Sequence, residues 1–129
     1  MLFTSYFAKS KALKEAGIVE VSISRSVPAW YNGLSYTKLA PTWEILKKYK
    51  ADGDWNAYVT EYKRQVLSKL DAHQVYAEIT KLVEDYTGHK FQHVALLCFE
   101  RSGDNCHRNI VSDWFFENGI ICKEWSSAL

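Results

Sequence analysis

The chain has 129 residues, of which 47% are hydrophobic and 24% charged, with a net charge of +1. This composition is that of one globular domain, and it excludes a disordered tail, a collagen-like rod and a disulfide-rich mini-protein. No apolar run approaches the roughly 20 residues of a membrane span, and the first residues lack a secretory signal pattern. We therefore expect a single domain over residues 1–129 that works in the cytoplasm and has no membrane partner.

Charge is unevenly distributed along the chain. Residues 1–50 carry eight Lys and Arg against three Asp and Glu, whereas residues 51–129 carry eight against twelve. A net charge of +1 is too small to indicate nucleic-acid binding by itself. We expect most of the basic side chains on solvated helix faces, with weak steering of anions as the alternative.

The first part of the chain predicts a βαβ unit. Residues 2–7 form a short strand, residues 9–16 a helix that Gly17 ends, and the β-branched residues 18–24 a second strand. A strand, short helix and strand favour a parallel, right-handed connection. Residues 25–41 have no regular period, and their aromatic content argues for an ordered, functional loop.

Three helices are predicted next. Thr42 caps a short helix, and Asp54 caps a longer amphipathic helix with apolar residues at helical spacing. Asp71, with Gln74 three residues later, resembles a capping box at the start of the third helix, which Gly88 closes. The aromatic side chains of the second helix are expected in the core.

The C-terminal part completes an α/β pattern. Residues 93–99 form a near-continuous apolar run, which is typical of a central strand covered on both faces. A polar loop leads to a helix over residues 106–117, capped by Asp104 or Asn105, and residues 120–125 form a last strand. The predicted fold is a small three-layer α/β domain with a mainly parallel sheet of about four strands flanked by helices.

Polar and reactive side chains follow the predicted strands. In an open parallel sheet, ligands bind beyond the carboxyl ends of the strands, so side chains there are expected to converge. The candidate site residues are Ser5, Tyr6, Arg25, Trp30, Glu100, Cys106, His107 and Arg108.

The start of the last helix carries most of the candidate chemistry. Its free N–H groups and partial positive charge, together with Arg108 and Arg25, predict an anion site. The same field favours a thiolate at Cys106, and His107 titrates near neutrality as an acid or base. Glu100 follows a buried strand and is the candidate general base or nucleophile.

Each assignment has a structural alternative. Cys106 could be a small buried residue, His107 could bond a nearby carbonyl, and Arg108 could pair with Asp104 or Glu100 to brace the loop. Trp30 could pack in the loop rather than stack on a ligand.

The cysteines predict no covalent framework. Their spacing matches no disulfide pattern, so we expect three reduced thiols, in agreement with a cytosolic protein. No Cys-x-x-Cys pair is present, and Cys98, Cys106 and His107 match no common metal site, so no metal is predicted. No Gly-rich nucleotide loop is present, and neither Cys98 nor Cys106 starts a Cys-x5-Arg phosphatase loop. The cofactor is therefore left unknown.

Several segments resemble the domain of unknown function 488 family. An apolar strand, residues 96–100, ends in Cys-x-Glu, and a short loop leads to Cys106-His107-Arg108. Residues 4–8 and 22–28 are similar to the family's N-terminal segments, and residues 39–41 to one of its branches. The resemblance implies a small α/β domain with a parallel sheet.

The resemblance also identifies motif positions, but it implies no activity. The motif positions are Cys98, Glu100, Cys106, His107 and Arg108. Many relatives carry Gly-His where this chain has Ser5-Tyr6, so a histidine role there does not transfer.

Three functions are compatible with these residues. The first is an enzyme acting on a phosphorylated or nucleotide-like small molecule, and the second is a non-enzymatic module that binds a nucleotide or a nucleic-acid end. The third is a protein-interaction domain that uses a Tyr and Trp surface. The first is favoured, because reactive residue types crowd one predicted sheet edge.

Overall fold

Five strands form one parallel sheet in a computed structural model that describes residues 1–90, 92–100 and 105–126. The strand order is β3–β2–β4–β1–β5. The strands are β1 (Leu2–Tyr6), β2 (Val19–Ser22), β3 (Leu34–Ser35), β4 (Val94–Cys98) and β5 (Cys122–Glu124). The predicted α/β class and parallel sheet are confirmed, with one strand more than the four that the sequence indicated.

Helices cover both faces of this sheet. They are α1 (Ser10–Glu15), α2 (Trp43–Asp52), α3 (Trp55–Gln65), α4 (Ala72–Thr87) and α5 (His107–Glu117). Helix α1 buries Leu13 in a small core on one face, whereas α2 to α5 bury their apolar side chains in a larger core on the other. In the segments described, no helix is long and apolar enough to span a bilayer.

The central strand β4 explains the layering. All five of its residues are buried. Val94 and Leu96 belong to the larger core, whereas Ala95 and Leu97 belong to the smaller one, because successive side chains point to opposite faces. The near-continuous apolar run in the sequence therefore reflects burial on both sides.

The connections create a crevice between β1 and β4. These strands pair in register from Leu2 with Val94 to Tyr6 with Cys98. The chain leaves β1 along the α1 face towards β2, and it leaves β4 along the opposite face, through α5, towards β5. Ligand sites in open α/β sheets form beyond the carboxyl ends of strands at such a reversal.

Local differences from the sequence prediction have simple causes. Strand β3 has two residues, too few to show a period within the loop over residues 25–41. The caps at Thr42 and Asp54 are confirmed, since their side chains accept from the N–H groups of residues 45 and 57 at 3.2 and 3.1 Å. The capping box is wrong, because Asp71 makes no side-chain cap bond and Gln74 donates to Glu78 instead.

Candidate functional site

A cavity of about 100 Å³ lies beyond the carboxyl ends of β2 and β4. It brings together four of the eight predicted site residues, namely Arg25, Glu100, Cys106 and His107. The other four predicted residues do not line it. The strand-end argument therefore locates a cluster, but only part of the predicted set converges.

Arg25 lines this cavity and is held there by backbone oxygens. Its Nε donates to the carbonyl of Pro41 at 3.1 Å, and its Nη2 donates to the carbonyl of Ala40 at 3.3 Å. The side chain is half-buried, with Ser24 and Ser26 beside it in the cavity lining. These bonds fix the guanidinium without neutralising its charge.

Glu100 also lines this cavity, two residues beyond the end of β4, and it is exposed. A carboxylate that directly follows a buried strand must be solvated or paired, and this one is solvated. Burial and then the negative charge of Glu100 raise the pKa of Tyr58, which also lines the cavity. Like any tyrosine, Tyr58 is protonated at neutral pH, so its hydroxyl can donate to a ligand.

Aromatic rings form one wall of the cavity. Trp55 stacks on Tyr58 at a centroid distance of 4.7 Å, and Tyr49 meets both rings edge-on at 5.7 and 5.2 Å. Phe99 completes the lining and is 47% exposed. Helical spacing places Tyr58 in the core, where it is found, but spacing does not reveal that its ring also borders a cavity.

His107 is buried and its orientation is fixed. Its Nε2 lies 2.8 Å from the carbonyl oxygen of Ile23, so in the neutral ring Nε2 carries the proton and donates it. Burial lowers the pKa of His107 to about 4, and the charge of Arg108 acts in the same direction. The unprotonated Nδ1 then lies 3.7 Å from Cys106 Sγ, where it can accept a proton from a thiol.

The expectation of three reduced thiols is wrong, because a disulfide joins Cys98 and Cys106. Cys98 ends the central strand, and Cys106 is the residue from which α5 starts, so the fold brings the two sulfurs together. Spacing rules for repeated cysteine motifs do not detect one such pair. Cys122 is free and buried, and burial raises its thiol pKa to about 11.

The same three groups do not fit a metal ion in this state. The sulfurs of Cys98 and Cys106 and a ring nitrogen of His107 lie within 4.8 Å of one another. Both sulfurs are consumed by the disulfide, however, and the Arg108 guanidinium contacts Cys98 Sγ at 2.9 Å. A cation here would face a buried positive charge, so we assign no metal to these residues.

Arg108 fills the crevice between β1 and β4. It is 1% exposed, and its Nε and Nη2 donate to the two carboxylate oxygens of Glu124, each at 3.0 Å. Its Nη1 donates to Cys98 Sγ at 2.9 Å and to the carbonyl of Glu100, and its Cζ lies 5.4 Å from the Tyr6 ring. These contacts are those of a brace, and its predicted binding of a ligand anion stays a prediction.

Glu124 is the site residue that sequence reasoning missed. It ends β5, whereas all the site residues predicted from the sequence lie at or after the ends of the first three predicted strands. Its carboxylate also accepts from Thr4 Oγ1 at 2.8 Å. The alternative partner predicted for Arg108, Asp104, lies outside the described residues, and the second, Glu100, contributes its carbonyl.

The remaining predicted residues lie elsewhere. Ser5 is fully buried on the α1 face, and its hydroxyl has no hydrogen-bond partner within the described part of the chain. Trp30 is 58% exposed and packs edge-on against Phe7 at 6.4 Å.

The N-cap prediction for Asn105 is wrong, because Cys106 has the extended N-cap backbone conformation.

Together, the fold and the cavity define a small parallel α/β domain with a reactive cluster at the carboxyl edge of its sheet. The family model DUF488-N3a, described as the active DUF488-N3 subclade, matches residues 11–119. This chain therefore belongs to the DUF488 family, as the Cys-x-Glu and Cys-His-Arg segments indicated. Among curated proteins and among solved structures, none matches the chain.

Proposed function

We propose that this protein is a small enzyme that binds a phosphate-bearing or nucleotide-like molecule in the cavity beyond β2 and β4. The observation that carries the proposal is that a solvated carboxylate, Glu100, and a fixed guanidinium, Arg25, line the same cavity. A cavity that combines a base with an anion-binding cation is the expected form of such an active site.

The charge and the ring wall favour this class of ligand. Arg25 and the hydroxyls of Ser24 and Ser26 would take the anionic group. The rings of Trp55 and Tyr58 would contact a planar base or a sugar face. A volume of about 100 Å³ is smaller than a typical ligand pocket of about 300 Å³ or more, so the cavity would hold one part of the ligand.

Glu100 would act as the general base or the nucleophile. Its carboxylate is exposed at the cavity, so it is free to take a proton from an attacking hydroxyl or to attack the substrate itself. Cys106 cannot attack while its sulfur is bonded to Cys98. His107 would assist as a proton acceptor at Nδ1, since its Nε2 is bonded to Ile23.

Arg108 would contribute by positioning. Through Nη1 it holds the carbonyl of Glu100, and it thereby fixes the backbone that carries the proposed catalytic carboxylate. The anionic small molecule and the cytoplasmic location predicted from the sequence remain part of this proposal. One disulfide is compatible with that location, because cytosolic disulfides are usually transient and catalytic or redox-sensing.

A thermal-shift screen tests the binding part of the proposal. Phosphate, sulfate, mono- and dinucleotides and short oligonucleotides would be added to the wild type, to Arg25→Ala and to Arg64→Ala. Arg64 is the matched control, since its exposed side chain pairs with Glu61 on α3 and does not line the cavity. We expect at least one ligand to raise the melting temperature of wild type and Arg64→Ala but not of Arg25→Ala. No shift with any ligand, or an unchanged shift in Arg25→Ala, would overturn the site.

Turnover is tested with the ligand found in that screen. Wild type and Glu100→Gln would be incubated with it, and the products separated by chromatography. We expect wild type to convert the ligand, and Glu100→Gln to keep the thermal shift and lose conversion. Unchanged conversion in Glu100→Gln would remove this residue from the mechanism.

Binding without conversion by the wild type would favour the second candidate function, a nucleotide or nucleic-acid binding module. The observation in its favour is the stacked pair Trp55 and Tyr58, because aromatic faces bind bases without any chemistry. That candidate also predicts an affinity that falls as salt concentration rises.

A further inference from the structure

We propose that the Cys98–Cys106 disulfide is a thiol-exchange site, at which a small thiol enters the cavity and attacks Cys106. The proposal does not depend on the enzymatic function above. It rests on the different surroundings of the two sulfurs, since one borders the cavity and the other contacts a buried guanidinium.

Access distinguishes the two sulfurs. Cys106 is 3% exposed and Cys98 is 1% exposed, so neither is open to bulk solvent. Cys106 lines the cavity, however, whereas Cys98 ends the central strand and does not. A thiol that enters the cavity therefore meets Cys106 first.

Arg108 stabilises the other sulfur as a leaving group. Its Nη1 donates to Cys98 Sγ at 2.9 Å, and the remaining guanidinium nitrogens are held by Glu124. A positive charge fixed at this distance stabilises a thiolate, and a stabilised thiolate leaves faster in thiol–disulfide exchange. Attack at Cys106 and departure of Cys98 are thus favoured by separate features of the site.

The reaction balances with a thiol as the reductant. The thiolate of the reductant attacks Cys106 Sγ, the bond between the two protein sulfurs breaks, and its electron pair stays on Cys98. A second thiol then attacks the mixed disulfide, which releases the oxidised reductant and leaves Cys106 reduced. Two thiols are oxidised to one disulfide and the protein gains two electrons. Cys106 takes one of the two thiol protons, and the other passes to solvent while Cys98 stays a thiolate beside Arg108.

His107 lies where its ring can accept a hydrogen bond from the thiol of reduced Cys106. Its Nδ1 lies 3.7 Å from the sulfur, and its Nε2 is occupied by the Ile23 carbonyl. The new thiol can therefore donate to Nδ1, so a buried polar group is not left without a partner. A disulfide with only a structural role would not require a guanidinium on one sulfur and a proton acceptor beside the other.

Peptide mapping of the native wild-type protein tests this directly. The protein would be incubated with excess reduced glutathione, quenched in acid, digested and analysed by mass spectrometry. We expect mixed disulfide on Cys106 in excess of that on Cys98 by about tenfold or more. Equal amounts, or an excess on Cys98, would overturn the assignment. A disulfide that glutathione and dithiothreitol cleave only after unfolding would show a structural bond and would also overturn it.

A matched pair of variants provides a second measurement. In a Cys122→Ser background, Cys98→Ser leaves Cys106 alone and Cys106→Ser leaves Cys98 alone. With oxidised glutathione, we expect the first variant to form a mixed disulfide at least about tenfold faster than the second. The reverse order would contradict access through the cavity. Circular dichroism checks that both variants are folded, and the wild-type mapping decides the question if either is not.

Discussion

The guanidinium of Arg108 and the carboxylate of Glu124 form a two-point ion pair between α5 and β5, with both contacts at 3.0 Å. Arg108 is 1% exposed on its side chain and Glu124 is 32% exposed, so the positive charge is the deeply buried member. Thr4 adds a third bond to the same carboxylate from β1. The pair thus joins the edge strand to the centre of the sheet.

Neutralising Glu124 should destabilise the protein. In Glu124→Gln the shape is kept, but Arg108 loses the charge that compensates its burial. We expect the free energy of unfolding to decrease by about 2 kcal/mol. Breaking a fully buried ion pair costs ~3–5 kcal/mol, and the loss is smaller here because Glu124 is part-exposed. Urea unfolding measures this decrease.

The control for this prediction is Asp85→Asn. Asp85 pairs with Lys81 on the surface of α4, with both side chains more than half exposed. We expect a change within about 0.5 kcal/mol. Equal losses in the two variants would mean that burial of Arg108 contributes nothing to the strength of its pair.

The free energy of unfolding should decrease as the pH is lowered through the range in which His107 is charged only in the unfolded chain. Burial lowers its pKa to about 4 in the folded chain, against an ordinary value of 6.5. Between these values the unfolded chain binds more protons, so the free energy of unfolding falls as pH decreases from about 6.5 to 4. The contribution of this one group is about 3 kcal/mol. Unfolding measured across this range tests it.

His107→Gln serves as the matched variant, because its amide can still donate to the Ile23 carbonyl. We expect the variant to lose part of the pH dependence between pH 4 and 6.5 while the carboxylates continue to contribute. An identical slope in wild type and variant would show that His107 titrates normally in the folded protein.

Cys122 should resist alkylation in the folded protein. Burial raises its pKa to about 11 from 9.0, so its thiolate fraction near pH 8 is about a hundredfold lower than in the unfolded chain. Iodoacetamide labelling followed by mass spectrometry, with and without urea, measures the ratio. Labelling at the unfolded rate under native conditions would be inconsistent with a buried thiol.

The buried hydroxyl of Ser5 should lower the free energy of unfolding. It is fully buried on a β1 position, and no partner for it exists within the residues that the structure describes. We expect Ser5→Ala to stabilise the protein by about 1 kcal/mol, because an unpaired buried hydroxyl is removed. Thermal and urea unfolding give the change.

Thr4 provides the comparison one residue away. Its hydroxyl is equally buried but bonds Glu124, so Thr4→Val should destabilise by about 1 kcal/mol. A loss of stability in Ser5→Ala would mean that the Ser5 hydroxyl has a partner, and it would return this residue to the set of candidate ligand contacts.

Much of the fold follows from local patterns. The apolar run around Leu96 predicts the central strand, and Thr42 and Asp54 predict helix starts, because each of these signals is contained within a few residues. Strand β3 escapes prediction, since two residues show no alternation. The bond between Asp71 and its helix also fails to form, because a capping residue type does not guarantee the capping contact.

Part of the candidate site was also predictable, because its residues follow a strand that a local sequence pattern identifies. Glu100, Cys106 and His107 follow a recognisable strand, so their convergence with Arg25 follows from parallel packing. Ser5 and Tyr6 do not line this cavity. Neighbouring residues of a strand point to opposite faces, so Ser5 faces α1 and Tyr6 meets Arg108. The disulfide and the role of Glu124 depend on the strand order, which no local pattern contains.

Three consecutive residues reach four strands. Cys106 bonds to the end of β4, His107 reaches Ile23 just beyond β2, and Arg108 contacts the ends of β1 and β5. One residue inserted within this tripeptide would rotate the following side chains by about 100° around the helix and break several contacts at once. Changes of length are therefore expected to be harmful here, and natural variants of this domain should differ in loop length elsewhere.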